Sequence, residues 1–139
     1  MRTVLVDTGP LVAYLDPGDP AHDGVSTSFG NISGAVCTTS AVITEAMHLL
    51  RSGPSGPRRL AEFVAATGVH ILETTQPHHL LAAVALMEKY SDTPMDFADA
   101  TLVLLSEETG ADEIATLDRR GFATYRTRKG KRFRMLPFA

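Results

Sequence analysis

The chain has 139 residues, of which 44% are hydrophobic and 21% charged, a composition that indicates one folded domain over residues 1–139 and excludes a largely disordered chain. Its only cysteine, Cys37, excludes an intramolecular disulfide and a cysteine-rich zinc site, and we expect a reducing cytoplasm as its location. The formal net charge of −3 hides an acidic part, residues 1–113 with 15 acids and 5 bases, and a basic end from Arg119 onward with eight bases and no acid.

The chain opens with a pattern typical of a buried strand followed by a helix. Residues 3–6 are apolar or β-branched and end at the turn sequence Asp-Thr-Gly-Pro, after which Pro10 suits the first position of a helix. The three apolar residues before Asp7 are too few for the core of a signal peptide or for a membrane span, so we expect neither export nor membrane insertion.

Strand-like and helix-like patterns then alternate along the middle of the chain. Short apolar or β-branched runs bounded by turn residues predict strands, and apolar residues spaced three or four apart predict helices. Ser40 is placed to cap one of these helices, and Gly53 with Pro54 to end it. On these patterns we predict a loop at 16–24, strands at 35–39 and 69–72, and helices at 41–52, 59–66 and 77–90.

The last third of the chain contains the most apolar predicted helix. Residues 97–105 are apolar on almost every face, which indicates a helix buried on most sides and ended by Gly110. A strand at 114–117, a basic hairpin or loop around residues 129 and 130, and a strand at 133–136 follow. Because parallel neighbouring strands need crossover connections, this alternation predicts an α/β fold with a central, mostly parallel sheet covered on both faces.

Four acidic residues are placed where the predicted fold could bring them together. Asp7 and Asp118 each follow a predicted strand, and ligand sites gather at the carboxyl ends of parallel strands. Glu45 and Asp99 lie on predicted helices beside apolar residues. Crowded carboxylates must take up protons or bind a cation, and their oxygens favour Mg²⁺ or Mn²⁺. Such an ion activates water and neutralises charge on a phosphodiester, so the pattern predicts a nuclease site.

Each acid also has a purely structural alternative. Asp7 could serve only as a turn residue, and Asp118 only as the cap of a short turn. Glu45 could be an exposed residue of an amphipathic helix. Of Asp96 and Asp99, one could be a helix cap or first-turn residue, and Asp96 is the better candidate for that role.

Four segments together resemble the PIN domain, and within it the VapC-like toxin ribonucleases. The segments are V-L-V-D-T-G-P-L-V with Asp7, V-I-T-E-A with Glu45, F-A-D-A-T-L-V with Asp99 and A-T-L-D-R-R-G-F with Asp118. Their order and their separation by helical stretches carry the resemblance over nearly the whole chain.

The resemblance implies a three-layer α/β/α fold in which helices enclose a parallel sheet. It implies cleavage of single-stranded RNA (tRNA, rRNA or mRNA) with Mg²⁺ or Mn²⁺, by a homodimer that a cognate antitoxin inhibits. Asp7, Glu45 and Asp99 match metal ligands with a catalytic role. Asp118 matches a fourth acid that holds the ion or its water, and Thr116 matches a family hydroxyl position.

The sequence allows more than one role for each of two further residues beside these acids. Thr8 could orient Asp7, or it could be only a turn residue. Asp96 lies three residues before Asp99 on the same helical side, so it could join the acids. The A-T-L-V pattern that follows favours Asp99 as the family's acid.

The basic end of the chain fits RNA binding, because cations hold a phosphate backbone without reading its bases. Arg126 and Arg128 alternate with a threonine, so one strand face could be basic. Tyr125 or Phe133 could stack on a base, although core packing is favoured for Phe133. A solvated charge run is the alternative. The candidate RNA-binding residues are Arg126, Arg128, Lys129, Lys131 and Arg132.

The residues bear on three other interpretations, a histidine metal site, a phosphatase and an inactive module. His78 and His79 are adjacent on a predicted helix and point about 100° apart, so we assign them no metal. A phosphatase of the haloacid dehalogenase type is disfavoured, because it needs an acid two residues after its nucleophilic aspartate and Gly9 occupies that position. A catalytically inactive PIN-fold module that binds a metal or a partner remains the alternative, because fold alone does not establish function.

Overall fold

The computed structural model describes residues 2–138. Within them the elements are β1 (Thr3–Val6), α1 (Thr8–Leu15), α2 (His22–Gly30), β2 (Ala35–Thr39), α3 (Ser40–Leu50), α4 (Gly56–Thr67), β3 (His70–Leu72), α5 (Pro77–Lys89), α6 (Phe97–Thr109), β4 (Glu113–Ala115), α7 (Arg119–Thr124) and β5 (Arg134–Met135). None of the helices in this described range has the length and apolarity that crossing a membrane requires.

The strands form one sheet in the order β3-β2-β1-β4-β5, and every neighbouring pair is parallel. In the central strand β1, Leu5 lies opposite Cys37 of β2 on one side and Ile114 of β4 on the other. Val4 and Leu5 have no exposed surface. Burial on both faces explains why β1 is a continuous apolar run. The prediction of an α/β fold with a mostly parallel central sheet flanked by helices is confirmed.

The strand order reverses at β1. The chain builds β2 and β3 on one side of β1 and then returns to place β4 and β5 on the other. In open α/β sheets, ligand sites form at such a switch point, outside the carboxyl ends of the strands. Asp7 directly follows β1 and Thr116 directly follows β4, so both residues lie at this position.

Helix α6 lies in the core, as predicted. Residues 100–106 are all buried, and Gly110 ends the helix in the left-handed conformation with φ of 77°. The helix contacts α5 and α3 as well as strands β1 and β2. Because α6 is packed on several sides, the side chains of its first turn have a well-defined position relative to the sheet.

Helix α2 begins inside a stretch that the sequence predicts as a loop, residues 16–24. The Pro, Gly and Asp residues of that stretch favour a loop, but a helix starts within it at His22. Tertiary contacts hold this helix in place, since Val25 is fully buried and the His22 ring contacts the Ala13 carbonyl at 2.7 Å. Tertiary packing therefore overrides a weak local preference.

Two helix starts differ from the prediction for reasons of capping. Helix α1 begins at Thr8 rather than at Pro10, because the Asp7 side chain accepts a hydrogen bond from the Thr8 N–H. Helix α3 is capped by Thr39 rather than by Ser40. Asp7 directly follows β1 and Thr39 is the last residue of β2, so in both cases a polar residue at the end of a strand caps the next helix.

The segment after β4 also differs from the prediction. Strand β4 ends at Ala115, not at residue 117. The short helix α7 then begins at Arg119, where no helix is predicted. The basic hairpin is confirmed, because Arg126 and Arg132 form an antiparallel bridge around a turn in which Gly130 has φ of 85°.

Candidate active site

The site begins at Asp7, the residue that follows β1. Its backbone N–H donates to the Ala115 carbonyl at 2.9 Å, which continues the β1–β4 pairing by one step. The side chain is only 7% exposed. Its Oδ1 accepts from the Thr8 N–H at 2.7 Å, and its Oδ2 accepts from the Thr116 hydroxyl at 2.7 Å. These bonds fix the carboxylate in one orientation, and each oxygen keeps a lone pair for another partner.

Glu45 reaches the same place from helix α3. The Thr8 hydroxyl donates to Glu45 Oε2 at 3.3 Å, so Thr8 joins Asp7 through its backbone and Glu45 through its side chain. Thr8 is buried, and these two hydrogen bonds go beyond the turn role that the sequence also allows. Among the residues that the structure describes, Glu45 Oε1 accepts no hydrogen bond.

Asp96 and Asp99 form a reciprocal pair at the start of α6. Asp96 Oδ1 accepts from the Asp99 N–H at 2.9 Å, and Asp99 Oδ2 accepts from the Asp96 N–H at 3.1 Å. This is a capping box with Asp96 as the N-cap. Asp99 is half-buried, and its Oδ1 accepts no hydrogen bond within residues 2–138. That oxygen is open to a ligand.

The crowding of these carboxylates changes the acidity of two of them. Burial, followed by the negative charges of Asp96 and Glu45, raises the pKa of Asp7 to about 6. Burial also raises the pKa of Asp99 well above its ordinary value, and the charges of Asp96 and Asp7 add to that rise. Both shifts favour the protonated carboxyl group, and a cation bound beside these residues would favour the ionised one. Asp7, Glu45, Asp96 and Asp99 therefore form one electrostatic group, here named the acid cluster.

Asp118 is linked to the acid cluster through one hydroxyl. The Asp118 N–H donates to Thr116 Oγ1 at 3.0 Å, and the same hydroxyl donates to Asp7. The Asp118 side chain is exposed, and its Oδ1 accepts from the Gly121 N–H at 3.1 Å to cap α7. The capping role considered from the sequence is thus present. The structure places this fourth acid at the edge of the cluster.

Gly121 is a residue of this site that the sequence analysis missed. A β-carbon at this position would overlap the Asp118 carboxylate, so a glycine is needed for the cap to form. The signal is present in D-R-R-G-F, where the glycine stands three residues after an acid. That is the spacing between an N-cap side chain and the backbone N–H that it accepts.

The acid cluster suits a hydrated divalent cation better than a closed metal cage. Across residues 2–138, no three side chains of Asp, Glu, His or Cys are arranged to hold one ion directly. Mg²⁺ does not need three, because it is usually bound through one or two carboxylates and keeps several waters. The donors are all oxygens, which Mg²⁺ and Mn²⁺ prefer. The residues present therefore fit such an ion, with Asp7 and Asp99 as candidate direct ligands.

Part of the basic end lies far from the acid cluster. Arg128 pairs with Glu107 at 2.6 Å, and the Lys131 ammonium donates to the Gly110 carbonyl at 2.8 Å. Glu107 and Gly110 follow Asp99 along α6 at a distance of roughly 12 and 16 Å, taking the rise of an α-helix. The structure therefore places Arg128 and Lys131 at the opposite end of α6 from the acids.

The other three candidate RNA-binding cations have different surroundings. Arg126 donates to the carbonyls of residues 123–125 at the end of α7, where a cation suits the helix dipole. Lys129 and Arg132 are exposed, and in the described part of the chain no side-chain hydrogen bond or ion pair holds either of them. These two are free to contact a polyanion.

Tyr125 and Phe133 belong to the core. Tyr125 is fully buried and Phe133 is 8% exposed, and both rings pack edge-on against Phe122. The Tyr125 hydroxyl donates to the Pro94 carbonyl at 2.6 Å, two residues before Asp96. Because neither ring face is open, the hypothesis that one of them stacks on a base is wrong.

Comparison with known proteins identifies the class to which this fold and site belong. A sequence model of the family described as PIN domain matches residues 4–127, which include every member of the acid cluster. The chain belongs to the PIN-domain family. This membership excludes the phosphatase alternative, in agreement with the glycine at position 9.

Individual relatives narrow the class further. Ribonuclease VapC26 of Mycobacterium tuberculosis (strain ATCC 25618 / H37Rv) is 30% identical over 135 residues, which cover 96% of this chain and 100% of that protein. The crystal structure of Mycobacterium tuberculosis VapC20, described as a sarcin-ricin loop cleaving toxin, matches with a TM-score of 0.76 and 21% identity over 84% of this chain and 90% of the other. Within its family the chain is VapC-like, and its fold is that of VapC20.

Proposed function

We propose that this protein is an endoribonuclease that cleaves phosphodiester bonds of single-stranded RNA with Mg²⁺ or Mn²⁺. The observation that carries the proposal is the acid cluster at the switch point between β1 and β4. The similarity to a protein named as a ribonuclease, over 100% of that protein's length, supports it. PIN-domain nucleases generally use divalent metal ions.

Asp7 and Asp99 are the proposed direct ligands. Hydrogen bonds hold Asp7 in place without using all of its lone pairs, and Asp99 presents a free Oδ1. Asp96 strengthens the negative potential and orients Asp99 through the capping box. When bound, a divalent cation supplies the positive charge that activates a water molecule and stabilises the transition state of phosphodiester cleavage.

Glu45 and Asp118 are proposed to hold the ion, directly or through a bound water, and to orient the water that attacks. A group with this role must lie within hydrogen-bond reach of the water that it serves. Glu45 Oε1 and Asp118 Oδ2 are both without a donor among residues 2–138. Thr8 and Thr116 hold the acids in place, Thr8 between Asp7 and Glu45, and Thr116 between Asp7 and Asp118.

The substrate and partner proposals follow from the relatives. VapC20 is described as a toxin that cleaves the sarcin-ricin loop, and loops are where RNA offers unpaired nucleotides to a protein. We extend this to a single-stranded segment of tRNA, rRNA or mRNA as the substrate. From the resemblance to VapC-like toxins we also propose a cognate antitoxin as the inhibitor, a homodimer, a cytoplasmic location, and one PIN domain over residues 1–139.

The test is cleavage of a fluorescent single-stranded RNA by the purified protein in Mg²⁺ or Mn²⁺, compared with EDTA. Asp99→Asn is the test variant, because asparagine keeps an acceptor for the Asp96 N–H but removes the charge. Asp92→Asn is the matched control, since it removes an acid from the exposed loop before α6, outside the acid cluster. Circular dichroism checks that both variants fold.

We expect cleavage to require the metal, to survive in Asp92→Asn and to fall by about 100-fold or more in Asp99→Asn. Equal cleavage by folded Asp99→Asn would place the activity outside the acid cluster. Metal binding without cleavage of any RNA tested would favour the inactive binding module.

A further inference from the structure

A buried pair of threonine hydroxyls connects the two helices that carry Glu45 and Asp99. Thr39 ends β2 and caps α3, and Thr101 lies in the second turn of α6. Both threonines are fully buried. Their Oγ1 atoms are 2.8 Å apart, although 62 positions separate the two residues in the chain.

The direction of the hydrogen bonds in this pair is fixed by its neighbours. The Ala98 carbonyl can only accept, and it takes the Thr101 hydroxyl proton at 2.6 Å. The Val42 N–H can only donate, and it does so to Thr39 Oγ1 at 3.3 Å. Because each hydroxyl has one proton, Thr39 must donate to Thr101. We name this series, from the Val42 N–H to the Ala98 carbonyl, the threonine chain.

The threonine chain is satisfied only when the two helices have one particular arrangement. Removing one hydroxyl would leave a buried donor or acceptor without a partner, which is unfavourable. Glu45 lies six residues after Thr39, and Asp99 lies two residues before Thr101. The arrangement that closes the chain therefore also sets where these two carboxylates stand.

Other contacts between α3 and α6 are less specific. Within residues 2–138, Thr39–Thr101 is the one side-chain hydrogen bond that joins these helices or their caps. Both helices also contribute apolar side chains to the core, among them Val42 and Leu102, and apolar burial is non-directional. A hydrogen bond weakens steeply with angle and distance, so the threonine chain is the contact that best resists a small slide of one helix along the other.

We propose that Thr39 and Thr101 are positioning residues that set the separation of Glu45 and Asp99, and through it the affinity of the acid cluster for a divalent cation. This inference rests on the proposed function, and it assigns neither threonine a contact with metal or RNA. Groups that orient ligands without touching the ion typically change metal affinity by about 10- to 100-fold. We expect the lower end, because the threonines act through helix position.

The test is binding of Mn²⁺ to the full chain without RNA, followed by the electron paramagnetic resonance signal of the free ion. Thr101→Val keeps the shape of the side chain and removes the hydroxyl, and Thr101→Ser restores a hydroxyl. Thr127→Val is the matched control, since Thr127 is 4% exposed and its hydroxyl accepts from the Lys131 N–H in the basic hairpin. Thermal unfolding measures the stability of every variant.

We expect Thr101→Val to raise the dissociation constant for Mn²⁺ by about 10-fold, and Thr101→Ser to stay close to wild type. Thr39→Val breaks the same chain from its other end and should weaken binding by a similar factor. The double valine variant should bind no more weakly than either single variant, because one substitution already breaks the link. Thr127→Val should lose thermal stability and keep wild-type Mn²⁺ binding.

Wild-type Mn²⁺ binding in folded Thr101→Val and Thr39→Val would overturn the inference and leave the proposed function intact. Equal weakening in Thr127→Val would also overturn it, because general loosening would then explain the effect. No Mn²⁺ binding by the wild-type chain would overturn both. If Thr101→Val does not fold, Thr101→Cys provides the same comparison, because a thiol is a weak hydrogen-bond partner.

Discussion

The Thr116 hydroxyl donates to Asp7 Oδ2 at 2.7 Å, and neither residue is more than 7% exposed. Thr116 follows β4 and Asp7 follows β1, so the bond joins the two strands at the switch point of the sheet. A donor to the charged carboxylate lowers the pKa of Asp7 and so opposes the effect of burial. Thr116 therefore helps Asp7 to ionise near neutral pH.

Replacing Thr116 by valine removes this donor and keeps the shape of the side chain. We expect the pKa of Asp7 to rise from about 6 and the acidic limb of the pH–activity profile to move to higher pH. Activity near neutral pH should fall by about 10- to 100-fold. The measurement is the rate of RNA cleavage across the pH range at saturating Mg²⁺. Thr116→Ser should behave as wild type, and an unshifted profile in Thr116→Val would contradict the role of this hydroxyl.

Asp7 lowers the stability of the metal-free chain as the pH rises toward neutral. Its pKa of about 6 exceeds the ordinary aspartate value of about 3.9, so between these values the folded chain binds more protons than the unfolded chain. The stabilisation is complete below the lower value and is lost as the pH rises through the upper one. A shift of about two units corresponds to roughly 3 kcal/mol.

Asp7→Asn should remove the contribution of Asp7 to the pH dependence of stability. In EDTA above pH ~6 we expect the variant to have a larger free energy of unfolding than wild type, because a neutral amide replaces a buried, repelled charge. Urea unfolding at several pH values measures this, with Asp92→Asn as the control. Added Mn²⁺ should stabilise wild type but not Asp7→Asn, by about 2.7 kcal/mol at one hundred times its dissociation constant. An equal pH dependence of stability in wild type and Asp7→Asn across this window would show that folding does not raise the pKa of Asp7.

Gly121→Ala should release the cap of α7. The new methyl group would occupy the place of the Asp118 carboxylate, so we expect a destabilisation of about 1 to 2 kcal/mol, typical of removing an N-cap. Gly30→Ala is the matched control, because a β-carbon there meets no atom within 4 Å. Chemical unfolding compares the two variants. A Gly121→Ala variant as stable as Gly30→Ala would mean that α7 does not depend on Asp118.

Lys129 and Arg132 should contribute to RNA binding as unpaired cations. Replacing both by alanine should weaken binding about equally for every RNA sequence. The slope of the logarithm of the binding constant against the logarithm of salt concentration should become less steep. The expected change is about 0.7 for each phosphate that the variant no longer neutralises. Fluorescence anisotropy in EDTA measures this without cleavage. Arg128→Ala is the control, because Arg128 is already paired with Glu107. An unchanged salt slope in the double variant would favour a solvated charge run.

Features that depend on near neighbours in the chain could be predicted from the sequence. Asp7 follows an apolar strand, and Asp96 and Asp99 have the spacing of a capping box, so their places at element ends follow from local chemistry. The apolar run at 97–105 likewise predicts the buried helix α6. Each of these patterns is contained within a few residues.

The contacts that assemble the acid cluster could not be predicted in the same way. Thr8 reaches Glu45 across 37 positions, and Thr116 reaches Asp7 across 109. A hydroxyl carries no sequence pattern that identifies a distant partner, and only the strand order brings these residues together. For the same reason the sequence shows the charge of Arg128 but not its pairing with an acid at the far end of α6.

Crystals soaked in Mn²⁺ and measured at a wavelength that gives anomalous signal test the central claim most directly. We expect one strong anomalous peak about 2.1 Å from a carboxylate oxygen of both Asp7 and Asp99, absent from crystals of Asp99→Asn. A peak elsewhere in the molecule, or no peak at Mn²⁺ concentrations that support RNA cleavage, would contradict the assignment of the acid cluster as the metal centre.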